Sequence, residues 1–324
     1  MSVHYRQELF RTPEVLGLAL AQKVVPELSG AENLVFCGCG TSFYIGGQAA
    51  GLLRASGRTA RAVEAVELLD AGVSVRPGEV YVFISRSGES EETVLAMREV
   101  KAADGLCCYL GCTGESRLGR ECGVSVVAGY ARETLVLESF SYYAQLLLAL
   151  RACGVNGGAG SPEAVAVAMD AAERVFEGDI GARVFSRIIT LAAPLYLPLA
   201  REMSLKAGEI TQLPAEDWGV LEFRHGPRSW AGKDTLIHLM PGERTAEWDR
   251  KVASELLYMG CPLVYYGENA PPGAVAAPSL SGGDPAASVL AAAAFHACTS
   301  LKIAENLGRE PSDLRNLVYN VEVL

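Results

Sequence analysis

Four groups of residues in this 324-residue chain combine side chains that could do chemistry. The first is Gly38-Cys39-Gly40-Thr41-Ser42, and the second is Ser85-Arg86-Ser87-Gly88-Glu89-Ser90. Each joins glycine to hydroxyls and is followed by a helix-like run. Free backbone N–H groups at a helix start, together with Ser and Thr hydroxyls, suit a phosphate, and Arg86 can add a charge-assisted contact. The same residues have a plainer reading: Ser42 and Ser90 can cap helices, and Glu91 and Glu92 can complement a helix dipole. The third group is Glu202, Lys206 and Glu209, spaced to share one face of a predicted helix. Alone, such a set is commonly a solvated surface pair. The fourth group is Glu216, Glu222, Arg224 and His225, in a less regular stretch ending His225-Gly226-Pro227. Gly-Pro gives a fixed turn, so His225 projects from a loop. A histidine there can shuttle a proton, because its pKa lies near neutrality, or it can hold a structural hydrogen bond. His4, His238 and His296 read as tail-bound, strand-embedded and helix-embedded, and are not candidates.

Several familiar chemistries do not fit. Gly38-x-Gly40 lacks the third glycine of a dinucleotide fingerprint, and no lone acidic residue ends the second strand. No Gly-Lys-Ser/Thr marks a Walker loop, and no G-x-S-x-G marks a nucleophile elbow. The nine cysteines are odd in number and sit mostly in apolar, strand-like runs, which fits a reduced, cytoplasmic setting. None has C-x-x-C spacing, so no metal site is expected. Lys and Arg total 28 against 38 Asp and Glu, a net charge of −10. An acidic chain without a basic run is a poor partner for nucleic acid or an anionic membrane. Met1–Pro13 is charged and lacks the apolar core of a secretory signal, and no run of 18 uncharged apolar residues is present.

The elements that must position these residues alternate strand and helix. Strands are predicted at Asn33–Cys37, Ala60–Val66, Glu79–Ser85, Leu106–Gly111 and Val124–Ala128. Helices are predicted at Phe43–Ala55, Ser90–Ala103 and Val136–Ala152. Gly154–Pro162 reads as a Gly-rich linker. The pattern then repeats, with helices at Glu163–Val175, Leu195–Glu209, Thr245–Tyr258 and Asp284–Leu307. The strands between them fall at Arg187–Leu191, Thr235–Met240 and Pro262–Tyr266. This predicts an α/β fold of two flavodoxin-like, doubly wound parallel-sheet lobes, residues 1–153 and 163–324, joined by linker 154–162. Such sheets bind ligands beyond the carboxyl ends of the strands, where strand order reverses. In the first lobe, those positions are the two hydroxyl-bearing loops. In the second lobe they read Ala192-Ala193-Pro194 and Pro241-Gly242-Glu243-Arg244, without a hydroxyl cradle. One lobe is therefore expected to bind, and the other to contribute the segment Glu202–Pro227.

At these residues the chain resembles the double sugar-isomerase-domain (SIS) proteins. Within them it is similar to the isomerase half of glucosamine-6-phosphate synthase and to ketosamine-phosphate deaminases. The resemblance runs from about Pro13 to Leu324. It rests on Cys39-Gly40-Thr41-Ser42, Ser85-Arg86-Ser87-Gly88-Glu89-Ser90, Glu202-x3-Lys206-x2-Glu209 with Phe223-Arg224-His225-Gly226-Pro227, and Arg315-Asn316-Leu317. It implies that Gly40, Thr41, Ser42, Ser85, Arg86, Ser87 and Ser90 bind a sugar phosphate. By the same resemblance, Glu209 moves a proton between C1 and C2 of the open-chain sugar, with Lys206 beside it. His225 opens the ring, reaching in from the neighbouring subunit of a homodimer. No metal or organic cofactor is implied.

Departures from the pattern shape the expected reaction. Tyr319 stands where the synthase-type tail has a lysine, and tyrosine cannot form an imine. Leu137-Glu138-Ser139-Phe140-Ser141 matches the family's Ser/Thr-rich sugar loop, which implies substrate contacts for Glu138 and Ser139. Glu138 replaces a small hydroxyl residue; it could recognise a substrate amine, or simply start a helix. No glutaminase domain precedes the lobes, so glutamine is not the expected nitrogen source. The expected activity is an aminosugar- or ketosamine-phosphate deaminase/isomerase, releasing ammonia or an amine. An aldose–ketose isomerase without amine loss and a non-catalytic phosphosugar sensor are the alternatives.

Overall fold

The computed structural model describes residues 3–72, 74–176, 180–181 and 183–313. They divide into two compact units: residues 11–158, and residues 3–10 together with 159–313. Each is built on a five-stranded, wholly parallel sheet.

In the first unit the strands are β1 (Asn33–Gly38), β2 (Thr59–Glu64), β3 (Glu79–Ser85), β4 (Leu106–Gly111) and β5 (Val124–Val127). Their order is β2-β1-β3-β4-β5, so the chain reverses direction across the sheet between β1 and β3. All seven residues of β3, Glu-Val-Tyr-Val-Phe-Ile-Ser, are buried, as a central parallel strand covered on both faces requires. Tyr81 and Phe83 point into one core with Val35, Cys37, Val94, Met97 and Tyr109. The longer helices are α1 (Thr41–Ala55), α2 (Glu91–Ala102) and α3 (Phe140–Ala152), which follow β1, β3 and β5. Two expected boundaries shift. The second strand stops at Glu64, and Ala65–Ala71 is a helix that leaves Val66 half-exposed. Helix α3 starts at Phe140 rather than Val136, because Glu133 ties down the residues before it, as described below.

The second unit has β6 (Arg187–Ala192), β7 (Ala215–Gly219), β8 (Thr235–Met240), β9 (Leu263–Tyr265) and β10 (Val275–Ala276). Their order, β7-β6-β8-β9-β10, repeats that of the first sheet position for position. Glu216, expected in an irregular stretch, lies on edge strand β7. The helices are α4 (Ser161–Phe176), α5 (Leu197–Thr211), α6 (Ala246–Tyr258) and α7 (Pro285–Asn306). Helix α7 packs on α4 and α5 and begins at Asp284, whose carboxylate accepts from the N–H groups of Ala286 and Ala287. Among the described residues, α7 is the one helix long and apolar enough to cross a membrane, and 89% of its apolar window is buried inside the protein. Residues 3–9 form a helix that joins this unit through Arg6, which pairs with Glu173 at 3.0 Å and Glu305 at 3.3 Å.

The core of the second unit holds an acid-sensitive pair. His238 on β8 and His296 on α7 are fully buried, with ring centroids 4.5 Å apart, and His238 Nδ1 lies 2.8 Å from the Tyr266 hydroxyl. Burial lowers the pKa of His296 to about 3 and that of His238 well below its ordinary value, with the neighbouring imidazole adding to the latter. The unfolded chain then takes up protons first, so the stability is full above about pH 6.5 and falls towards pH 3. Each ring costs about 1.4 kcal/mol per pH unit across that window. The urea midpoint is expected to fall between pH 7.5 and pH 5, and His296→Leu to flatten that fall. A midpoint independent of pH in this range would contradict the assignment.

Candidate functional site

The hydroxyl-bearing loops of the first unit leave the carboxyl ends of β1 and β3, the neighbouring strands where the order reverses. Gly40 adopts φ +51° and ψ −129° at the entrance to α1, a conformation that favours glycine. Thr41 and Ser42 follow inside the first turn and are buried. In the second loop, Ser85 Oγ accepts from the Gly88 N–H at 3.0 Å and lies 3.1 Å from Ser90 Oγ. Ser87 Oγ accepts from the Glu89 N–H. Neither Gly40 nor Ser90, the residues at the N-cap positions, makes a side-chain cap bond, and Ser42 lies within the helix. The plain capping reading is therefore not what these serines do. The loop is held from outside by Arg117, which donates to Glu89 at 2.7 Å and to Glu91 at 2.6 Å.

Arg86 is engaged by protein groups. Its guanidinium donates to Glu133 at 3.0 Å and to the carbonyls of Leu135 and Val136 at 3.2 and 3.0 Å, with Glu138 3.8 Å away. Glu133 is itself buried. It accepts from both the N–H and the hydroxyl of Ser139 at 2.7 Å, and from the N–H and hydroxyl of Ser141 at 2.9 and 2.6 Å. Burial and then the nearby Glu138 raise its pKa above the ordinary carboxylate value, against the opposing pull of the Ser141 hydrogen bonds and Arg86. Two backbone N–H groups and a guanidinium can only donate, so the surroundings are shaped for the ionised carboxylate. Glu138 accepts from Ser141 Oγ at 3.2 Å. Ser139 precedes α3 and is buried. Arg86, Glu138 and Ser139 thus form one cluster. Sequence reasoning missed Glu133, its centre, because nothing in the local pattern separates it from an ordinary loop carboxylate.

In the second unit Lys206 Nζ lies 2.7 Å from Glu209 Oε2 and 3.8 Å from Glu202 Oε1. The side chains of Lys206, Glu209 and Glu202 are 9%, 19% and 3% exposed, so Lys206 and Glu202 are buried, Glu209 is partly buried, and the set is not a solvated surface pair. A carboxylate fixed by a buried ammonium group is suited to taking and returning a proton. Nearby in sequence, Asp217 on β7 has its pKa raised by burial, against the pull of Arg201. His225 ends a 3-10 turn, Glu222–His225, and is exposed. The turn is anchored on α6 by Glu255, which accepts from Arg224 at 3.4 Å and from Arg228 at 2.6 Å. Among the described residues, no hydrogen bond or ion pair joins His225 to Lys206 or Glu209. Tyr319 and Arg315-Asn316-Leu317 lie outside the described residues. No group of three His, Cys, Asp or Glu that could hold a metal occurs among the described residues.

Sequence and fold comparisons bear on this arrangement. Residues 27–153 match the sequence profile of the SIS domain. Across both units, the chain is 26% identical over 273 residues to glutamine–fructose-6-phosphate aminotransferase (isomerizing) of Caulobacter vibrioides. That alignment covers 77% of this chain and 45% of the relative, so the chain spans less than half the length of the curated protein it matches. Among solved structures, the fold is shared with glucosamine-6-phosphate deaminase of Thermotoga maritima. The TM-score is 0.79 at 20% identity, covering 98% of this chain and 99% of that one. It is shared equally with tagatose-6-phosphate ketose/aldose isomerase of Escherichia coli, with TM-score 0.79, 19% identity and 95% of each chain covered.

Proposed function

We propose that the chain is a phosphosugar enzyme, an aminosugar- or ketosamine-phosphate deaminase/isomerase built from two SIS domains. The repeated strand order of the two sheets supports a second SIS domain in residues 163–324, after the linker 154–162. The observation that carries the reaction is the buried contact of Lys206 with Glu209. In this reading the hydroxyls and N–H groups of Gly40-Thr41-Ser42, Ser85, Ser87 and Ser90 receive the phosphate and sugar. Ser139 and Glu138 add contacts, and Arg86 shapes the loops. Glu209 removes the C2 proton of the open-chain amino sugar phosphate and returns it to C1, leaving an imine at C2. Water hydrolyses the imine to a ketose phosphate and ammonia. A ketosamine with its amine on C1 follows the reverse proton transfer. Lys206, whose Nζ donates to Glu209 Oε2, orients that carboxylate. His225, exposed in one copy, is assigned to ring opening in the site of the neighbouring copy of a homodimer. Tyr319 can offer a hydrogen bond to substrate but no imine. The names of the similar proteins, an isomerizing aminotransferase, a deaminase and a ketose/aldose isomerase, support chemistry of this class.

The test is product analysis of purified protein with glucosamine 6-phosphate, galactosamine 6-phosphate and fructosyl-amino-acid phosphates. Ammonia or free amino acid is expected with at least one of them. Interconversion of two hexose phosphates without ammonia would replace this reading with a plain isomerase. Tight binding with no product would replace it with a sensor.

A further inference from the structure

We propose that Glu133 is a positioning residue that couples the two halves of the phosphosugar cradle, the loop Ser85–Ser90 and the segment Glu138–Ser141. Its carboxylate hydrogen-bonds to both. On one side it holds Arg86, which sits between Ser85 and Ser87; on the other it holds the N–H and hydroxyl groups of Ser139 and Ser141. Both oxygens are used: Oε1 accepts three hydrogen bonds and Oε2 accepts two. Arg86 then extends the link to the carbonyls of Leu135 and Val136, closing a ring of polar contacts around a side chain with no exposure. Its other neighbours within the loops are likewise spoken for. The Cys112 N–H donates to the Arg86 carbonyl, and the Tyr109 hydroxyl to that of Ser85. Replacing one carboxylate oxygen of Glu133 with an amide NH2 sets a donor against donors in a buried place, either at Arg86 or at the Ser139 and Ser141 N–H groups. The loops then lose their common anchor while each keeps its own covalent position in the sheet.

The identity of the ligand rests on the phosphosugar reading; the coupling does not. The experiment separates the two by reading amide hydrogen exchange and ligand binding on the full chain. In Glu133→Gln, exchange is expected to rise in peptides covering 85–90 and 133–141 together, and to stay unchanged in β1, β2 and α1. The dissociation constant for inorganic phosphate and for glucosamine 6-phosphate is expected to rise at least tenfold. KM should rise with it, while kcat stays within threefold, and Glu133→Asp should recover part of the loss. Should Glu133→Gln fail to fold, Arg86→Met cuts the same link from the other end, and the same paired rise in exchange is expected. Increased exchange in only one of the two segments, exchange raised evenly over the whole unit, or a loss in kcat with KM intact would overturn the proposal. Binding of neither probe by the unsubstituted protein, with the paired exchange effect present, would contradict the phosphosugar reading and leave the coupling standing.

Discussion

Glu209→Gln is expected to lower the turnover of an amino sugar phosphate by about 10²–10⁴-fold, the range that a positioned general base contributes. Phosphosugar affinity should stay within about threefold. The amide matches the carboxylate in size but cannot take a proton from carbon. The substitution also leaves Lys206 beside Glu202, 3.8 Å away, so the buried ammonium keeps a carboxylate neighbour and the helix should remain folded. Steady-state kinetics together with calorimetry separate the two effects. Unchanged turnover would remove Glu209 from the mechanism, and a loss of binding equal to the loss of turnover would make it a ligand contact instead. The Lys206→Met variant gives the complementary result. It leaves Glu209 and Glu202 close together in a buried place without their shared cation, and both turnover and stability should fall.

Gly88→Ala is expected to cost about 2–6 kcal/mol of stability and to abolish phosphate binding. Two independent penalties add. Gly88 has φ +70°, where a side chain costs about 1–3 kcal/mol. An added Cβ would also lie 2.1 Å from Ser116 Oγ, 2.6 Å from Ser116 Cβ and 2.9 Å from the Tyr109 hydroxyl, an overpacking worth about 1–3 kcal/mol. Neither neighbour gives way cheaply. Ser116 Oγ donates to the Thr113 carbonyl at 2.8 Å and accepts from the Gly119 N–H, capping the helix Arg117–Glu121. The Tyr109 hydroxyl is held against the carbonyls of Ser85 and Thr113. The loop would have to move, and with it the Gly88 N–H that orients Ser85 Oγ. Urea titration of the variant checks the stability. Adding Ser116→Gly removes the closest contact but also the helix cap and leaves the Tyr109 contact, so it should recover only part of the steric cost and none of the backbone part. A variant as stable as the parent, with phosphate binding intact, would show that the loop tolerates a different path.

Much of this arrangement could be read from residue order. A run such as Glu79–Ser85, apolar apart from its ends and rich in Val, Ile and aromatic residues, reads as a covered parallel strand. The Gly- and Ser-rich segments after β1 and β3 then fall at the one place where a doubly wound sheet opens. The spacing of Lys206 and Glu209 put them on one helical face, but spacing alone could not tell a buried face from a wet one. That depends on how α5 packs against its own sheet and on α7, which are long-range contacts. Strand β7 was missed because Ala-Glu-Asp-Trp-Gly is an edge strand with no fully buried residue, so it carries neither an apolar run nor clear alternation. The surroundings of Arg86 were out of reach for a related reason. An arginine beside two serines looks like an anion ligand until Glu133, 47 residues further on, is seen to meet it. Local pattern reports what a residue can bind; tertiary structure decides what already binds it.

The claim common to the deaminase and isomerase readings is a proton moved between C1 and C2 by Glu209. Solvent isotope incorporation tests it most directly. Protein incubated with glucosamine 6-phosphate, or with whichever sugar phosphate of the panel reacts, in D2O should yield a ketose or aldose phosphate with deuterium at C1 or C2. NMR should detect at least partial incorporation, and Glu209→Gln should give neither exchange nor product. Product formation or exchange undiminished in Glu209→Gln would contradict the account.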